Sequence, residues 1–223
     1  PETGVRYAES VTAKILEQQV KAIVVACNTA STHALHAVEA MAGDLPVIGM
    51  IDPAADAAIA ATKSGRIGVM ATVGTVRSGV YERALKAREA DSVVFSVACQ
   101  MLVALAEEGW SEGDIPRATL HRYLDPIFDS PKAPDTVILG CTHFPVFSSL
   151  LHDILGGGVT LINSGEAASR HLAPYLDGHQ PKSGHLPEAK FLVTDDPLRF
   201  ADNAIKFFDH RLKPEDVHLI DIK

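Results

Sequence analysis

The chain has 223 residues, 47% of them hydrophobic and 22% charged, and a net charge of −8. That composition fits a globular protein with one large or two small cores, and its acidic balance argues against bulk attraction to nucleic acid or to an anionic membrane. No apolar run approaches the ~20 residues of a membrane span, and three cysteines, an odd number, suit a reducing cytoplasm better than a disulfide-built secreted fold.

Residues 5–20 carry Val5, Ala8, Val11, Ile15, Leu16 and Val20 at helical spacing. The short apolar run 22–26 reads as a buried parallel strand. A helix from Thr29 to Met41, a strand over 46–51 and a helix over 54–63 started by Asp52-Pro53 follow. The alternation then repeats. A strand over 67–71 precedes the loop 72–75, a helix over 76–89, a strand over 92–98, and helices over 101–108 and 114–129. A strand over 136–140, a helix over 144–155, a strand over 159–162 and a helix over 166–176 complete that part. Residues 177–189, rich in Gly, His, Pro and Lys, read as an exposed connection. A strand, a helix started by Asp196-Pro197 and a last strand over 217–222 end the chain.

Two of these strands end alike. Ile23-Val24-Val25-Ala26 runs into Cys27-Asn28-Thr29, and Val137-Ile138-Leu139-Gly140 into Cys141-Thr142-His143. Each is followed by a helix and by a second strand ending in a polar cap, Asp52 in one case and Asn163 in the other. The match predicts two related α/β halves, each a mostly parallel sheet flanked by helices, facing each other across a cleft with a cysteine on each rim. Residues 1–62 with 166–223 form the expected first domain and 63–165 the second. The second half runs 74 residues from Ile67 to Cys141, whereas only 26 precede Cys27. The comparison leads us to expect about 48 further residues, enough for two strands and a helix, ahead of Pro1.

A thiolate is a good base toward carbon, and a helix N-terminus favours its negative charge. Backbone N–H groups there can hold a carboxylate, with Asn28, Thr29, Ser31 and Thr142 as further donors and His143 placed to assist proton movement. Two opposed cysteines suggest inversion of a carbon acid, one removing the α-proton and the other returning one from the far face. A single-face enzyme would need one cysteine. Other readings carry less. Cys99 has no polar cluster and reads as core. A zinc site from Cys27, Cys141 and His143 lacks any Cys-x-x-Cys or His-x3-His spacing. A hydrolase pairing His143 with a cysteine would need near neighbours on one strand end to meet productively. Glu107-Glu108 reads most simply as a solvated helix face.

Val25-Ala26-Cys27-Asn28-Thr29-Ala30-Ser31 and Leu139-Gly140-Cys141-Thr142-His143-Phe144-Pro145 closely resemble the two signatures of glutamate racemase. Similar too are Ile67-Gly68-Val69-Met70-Ala71-Thr72 with Thr75-Val76-Arg77-Ser78-Gly79-Val80-Tyr81, and Leu161-Ile162-Asn163-Ser164-Gly165. The resemblance runs from Pro1 to about Gly165. It implies cofactor-independent, metal-free racemisation of glutamate for bacterial peptidoglycan, and often a homodimer. It implies that Cys27 and Cys141 are the acid/bases, that His143 supports Cys141, and that Glu107 is an auxiliary acid. Asn28, Thr29, Thr72, Thr75 and Thr142 would hold the substrate. Asn163 stands where the family usually has Asp, and Gln100 where it has Pro. The family's opening Phe-Asp-Ser-Gly strand and Pro-Tyr-Gly loop are not in this sequence. Related expectations are an aspartate racemase or another carbon-acid enzyme of the superfamily, or a truncated chain that binds ligand without turnover.

Overall fold

The computed structural model describes residues 2–176, 189–208 and 212–222, so most of the expected 177–189 connection lies outside the described residues. Helix α1 (Glu2–Leu16) leads to strand β1 (Ile23–Val24), and helices α2 (Asn28–His33) and α3 (Leu35–Ala42) lead to strand β2 (Val47–Ile48). β1 and β2 are parallel. The single helix expected over Thr29–Met41 breaks at Ala34, whose backbone leaves helical geometry at φ −122° and ψ −5°. Its first turns are rich in short polar side chains that compete for backbone hydrogen bonds. Ser31 Oγ donates to the Val25 carbonyl and Thr32 Oγ1 to the Asn28 carbonyl. Val38 and Ala42 of α3 bury against Ile23, with Ile15 and Leu16 of α1 packed beside them.

Helix α4 (Ile51–Ala61) follows, then strand β3 (Arg66–Ala71), helices α5 (Val73–Ser78) and α6 (Val80–Arg88), and strand β4 (Val93–Ala98). The helix expected over 76–89 is two helices, because Gly79 sits between them at φ 65°, a conformation that suits a residue without Cβ. Helices α7 (Gln100–Glu108) and α8 (Asp114–Phe128) precede strand β5 (Thr136–Gly140). A 3₁₀ turn over Phe144–Phe147, helix α9 (Ser148–Leu155), strand β6 (Thr160–Asn163) and helix α10 (Ser164–Leu172) follow.

These four strands form one parallel sheet in the order β4-β3-β5-β6. Side chains alternate across it. On one face Met70, Val137, Leu139 and Cys141 pack under Leu102, Leu105, Leu120, Leu124, Phe144 and Phe147 of α7, α8 and the 3₁₀ turn. On the other, Ile67, Val69, Ala71 and Ile138 meet α4 and α6. Three fully buried alanines, Ala54, Ala55 and Ala58, let α4 lie close to this sheet. By packing α4 therefore goes with the four-stranded sheet, although sequence order alone placed it in the first half. α10 sits at the junction, with Ala168 against Ile48 and Met50.

The tail forms a third small unit. Strand β7 (Phe191–Val193), helix α11 (Pro197–Ala204) and strand β8 (Val217–Leu219) fold together, and the two strands pair in parallel with each other. The sequence predicts that this tail returns to complete the first half. It touches that half where Lys190 Nζ donates to Gln18 Oε1, but among the described residues β7 and β8 do not join the β1–β2 pair. The turn after α11 reaches the second half instead.

Candidate active site

In the four-stranded sheet, Ala71 pairs with both Ala98 and Gly140. The next residue in each strand is therefore aligned at one carboxyl edge: Thr72 after β3, Cys99 after β4 and Cys141 after β5. Chain order runs outward from β3 to β4, then crosses back to β5. The β3–β5 boundary is thus the switch point where parallel α/β sheets open a crevice for ligands. Thr72 and Cys141 flank that boundary.

Cys27 approaches from the first half, near enough for its charge to act on Cys141, but the cleft it lines does not include Cys141. It is the N-cap of α2, and its Sγ accepts a hydrogen bond from the Ala30 N–H at 3.5 Å. The thiol is exposed and forms one wall of a cleft of about 700 Å³ that also touches Thr29, His33, Gly74 and Arg77. Three hydroxyls close the gap between the halves. Thr29 Oγ1 lies 2.9 Å from Thr72 Oγ1 and 3.2 Å from Thr75 Oγ1, and the last two are 3.2 Å apart. Thr29 follows Cys27 by two residues, and Thr72 neighbours Cys141 across the sheet edge, so this triangle links the two cysteine loops. Thr72 also caps α5 by accepting from the Thr75 N–H.

The two cysteines differ in environment. Cys141 is 7% exposed. Burial pushes its thiol up to about 11; the backbone N–H of His143 opposes the rise, and the nearby charges of Cys27 and Glu107 add to it. At neutral pH Cys141 therefore carries its proton. His143 Nδ1 stands 3.7 Å from Cys141 Sγ, and His143 Nε2 stands 3.6 Å from Glu107 Oε1. The second spacing is longer than a well-formed hydrogen bond, so Glu107 acts on the ring mainly as a charge. A neutral imidazole whose Nε2–H faces the carboxylate leaves Nδ1 free to accept the thiol proton. The ring is also held from the tail, since Phe207 meets it edge-on at 5.5 Å. Lys206 Nζ donates to the Glu107 carbonyl and to Asn203 Oδ1.

Of the residues singled out in the sequence, Thr29, Thr72 and Thr75 meet, and Cys141, His143 and Glu107 form a second group. Thr142 is exposed beside the buried Cys141. Asn28 is different: its side chain is 2% exposed and bonded at both ends, accepting from Tyr81 Oη at 2.5 Å and donating to Ser164 Oγ at 3.3 Å. Cys99 is fully buried, its Sγ directed to the Val97 carbonyl. Sequence reading gave no role to Tyr81, Ser164, Lys206 or Phe207. The available signal was indirect, because an Asn beside a reactive cysteine must find partners if buried, and nothing local supplies them. Among the described residues no three His, Cys, Asp or Glu side chains are grouped to hold a metal ion. No helix among them is long and apolar enough to cross a membrane.

Residues 1–172 match the family model described as Asp/Glu/Hydantoin racemase. The glutamate racemase of Syntrophus aciditrophicus is 37% identical over 213 residues, 95% of this chain and 78% of that protein. Among solved structures, a glutamate racemase isoform of Bacillus anthracis superposes with a TM-score of 0.86 at 34% identity, covering 99% of this chain and 81% of the other. The glutamate racemase of Francisella tularensis, solved with D-glutamate, gives the same TM-score and coverage at 29% identity. A family match over residues 1–172 and likeness to glutamate racemases over almost the whole of this chain lead to one assignment: the chain belongs to the glutamate racemase family.

Proposed function

We propose that the protein interconverts L- and D-glutamate without a cofactor, using Cys27 and Cys141 as the two bases. What supports this reading is the Thr29–Thr72–Thr75 triangle, which ties the Cys27 loop to the sheet edge beside Cys141, together with the effect of the Cys27 charge on Cys141. Glutamate binds with its polar groups on Thr29, Thr72 and Thr142; Thr75, expected from the sequence to join them, is only 1% exposed and instead supports the Thr29 and Thr72 hydroxyls, and Asn28 fixes the loop that bears Cys27. In one direction a thiolate takes the Cα proton and leaves the electron pair on the substrate as a carbanion delocalised into its carboxylate. The thiol on the opposite face then gives its proton to Cα. The first cysteine ends as a thiol and the second as a thiolate, which is the starting state for the reverse reaction. Before another turn in the same direction the proton must move back, and His143, with Glu107 beside it, provides the route at Cys141.

The active crevice lies between the proposed units 1–62 with 166–223 and 63–165, with α4 packed on the second. Free cysteines suit the reducing cytoplasm proposed as the enzyme's compartment, where D-glutamate would feed peptidoglycan synthesis, and a homodimer is the proposed assembly. The test is L-glutamate in D2O, following ellipticity and deuterium at Cα. Cys27→Ala and Cys141→Ala should each abolish racemisation. Unimpaired turnover in both variants would remove the two-base mechanism.

A further inference from the structure

A buried hydrogen-bonded chain joins the two cysteine segments. Tyr81 Oη donates to Asn28 Oδ1 at 2.5 Å, Asn28 Nδ2 donates to Ser164 Oγ at 3.3 Å, and Ser164 Oγ donates to the Leu139 carbonyl at 3.0 Å. All three side chains are 2% exposed or less. The ends of the chain are informative: Asn28 directly follows Cys27, and Leu139 precedes Cys141 by two residues in β5. The links come from four separate elements, α2, α6, α10 and β5.

The direction of every link is fixed. The single Ser164 proton goes to the Leu139 carbonyl, so Ser164 can only accept from Asn28. The Asn28 amide must then present nitrogen to Ser164 and oxygen to Tyr81. A flipped amide would set two acceptor oxygens against each other at Ser164. Tyr81 must donate, and it keeps its proton because burial, with the Cys141 charge adding, drives its ionisation far above the ordinary range. A one-directional chain in a water-poor interior is mutually reinforcing and intolerant of a missing member.

We propose that Tyr81 and Ser164 are positioning residues for the racemase reaction, acting through Asn28 to hold Cys27 and Cys141 at a fixed separation across the crevice. The inference rests on the two-cysteine reading for its catalytic consequence, and on the hydrogen-bond geometry alone for its structural one. It also assigns Asn28 a task other than side-chain contact with substrate.

The experiment uses Tyr81→Phe, Ser164→Ala and the double variant, each verified as folded by circular dichroism. Racemisation is measured in both directions, and Cys141 alkylation by iodoacetamide is followed by peptide mass spectrometry. We expect kcat to fall at least about 10-fold in each single variant while KM for glutamate stays within about threefold. The double variant should be no slower than the slower single one, because breaking the chain twice costs no more than breaking it once. Cys141 alkylation should quicken roughly tenfold in each variant, as local opening of the β5 end becomes easier. If both single variants keep kcat within about twofold, or the losses multiply, the positioning role is overturned. A rise in KM alone would instead make Asn28 a substrate ligand and would also overturn it. If the unaltered protein does not racemise glutamate, the proposed function fails, while faster alkylation in the variants would still sustain the coupling between the two segments.

Discussion

Gly140→Ala places a methyl group at the tightest point of the candidate active site. A Cβ there would lie 3.0 Å from the Met70 carbonyl oxygen, 3.0 Å from Tyr81 Cε2 and 3.3 Å from Ala71 Cβ, against an ordinary contact of 3.4–4 Å. Each of the two closest neighbours must give way by at least 0.4 Å, the difference between 3.4 and 3.0 Å. Neither can do so cheaply. The Met70 carbonyl belongs to the β3 backbone paired with β5, and the Tyr81 ring is buried with its hydroxyl bonded to Asn28. Overpacking of this kind costs about 1–3 kcal/mol. For a chain of this size each kcal/mol is worth roughly 2–4 °C, so the melting temperature should fall by roughly 2–12 °C. The shift falls on the residue before Cys141 and, through Tyr81, on the residue after Cys27. Misplacement approaching ~1 Å between reacting groups costs up to ~100-fold in rate. We therefore expect Gly140→Ala to stay folded at 25 °C and to lose about 10- to 100-fold in kcat. The assays are thermal unfolding and circular-dichroic racemisation. Gly68→Ala serves as the comparison, since its Cβ would press on Val137 Cγ2 at 3.2 Å, at the other end of the same strand pair. That variant should lose stability and keep kcat. Unchanged activity and melting temperature in Gly140→Ala would refute the claim that this sheet edge sets the position of Cys141.

The carboxylate of Asp135 accepts from Thr62 Oγ1 at 2.6 Å and from the N–H groups of Lys63 and Ser64 at 2.9 and 2.8 Å. Burial alone would raise its pKa, but those donors hold it well below the usual carboxylate range. Its stabilisation is present above the unfolded value near 3.8 and is lost as pH falls further. Asp135→Asn should cost about 1–3 kcal/mol at pH 7 by urea unfolding, a gap that closes below about pH 4, with kcat unchanged. Cys141 gives the opposite sign: its folded pKa, raised to about 11 from 9.0, contributes stability that is whole below pH 9 and is lost as pH rises through 11. Cys141→Ala should flatten that alkaline slope, and an equal slope in the variant would refute the assignment. His143→Ala should lower kcat by about 100-fold and Glu107→Gln by less than about 10-fold, because the carboxylate stands behind the ring and acts on it and on Cys141 only as a charge. Arg88, its side chain 23% exposed, bridges the more exposed Asp52 and Asp56 at 2.9 and 2.5 Å and also donates to the Ala84 and Asp52 carbonyls, so Arg88→Ala should cost about 1–2 kcal/mol by urea unfolding, more than an exposed ion pair alone.

Much of the α/β alternation was legible because buried parallel strands are short apolar runs and their helices carry three-to-four-residue spacing. The likeness of the two cysteine strands was legible because both end in the same local chemistry. Helix breaks were harder to read. Ala34 interrupts a helix for reasons that lie in Ser31 and Thr32, whose hydroxyls bond backward to carbonyls. Gly79 marked the other break, but a glycine within a helical pattern also occurs without one. The placement of α4 depended on which sheet its alanines approach, and small apolar residues carry no label for a partner. The contacts that hold the site are the least local. Tyr81 reaches Asn28 across 53 residues, and Asn28 reaches Ser164 across 136. The Phe207 edge on His143 comes from a tail whose strands pair only with each other among the described residues. Periodicity describes one segment at a time, and such pairings belong to none.

The unequal surroundings of the two thiols, one open to solvent and one enclosed, bear on what kinetics can reveal. Two enantiomers in water have the same free energy, so a racemase cannot favour one of them at equilibrium. The ratio kcat/KM must be equal for L- and D-glutamate, however different Cys27 and Cys141 are. On the proposed two-base mechanism, the difference between an exposed and a sheltered thiol surfaces in the steady state as compensating changes, a higher kcat in one direction matched by a higher KM. It would also surface as an isotope effect that differs between the two directions of travel.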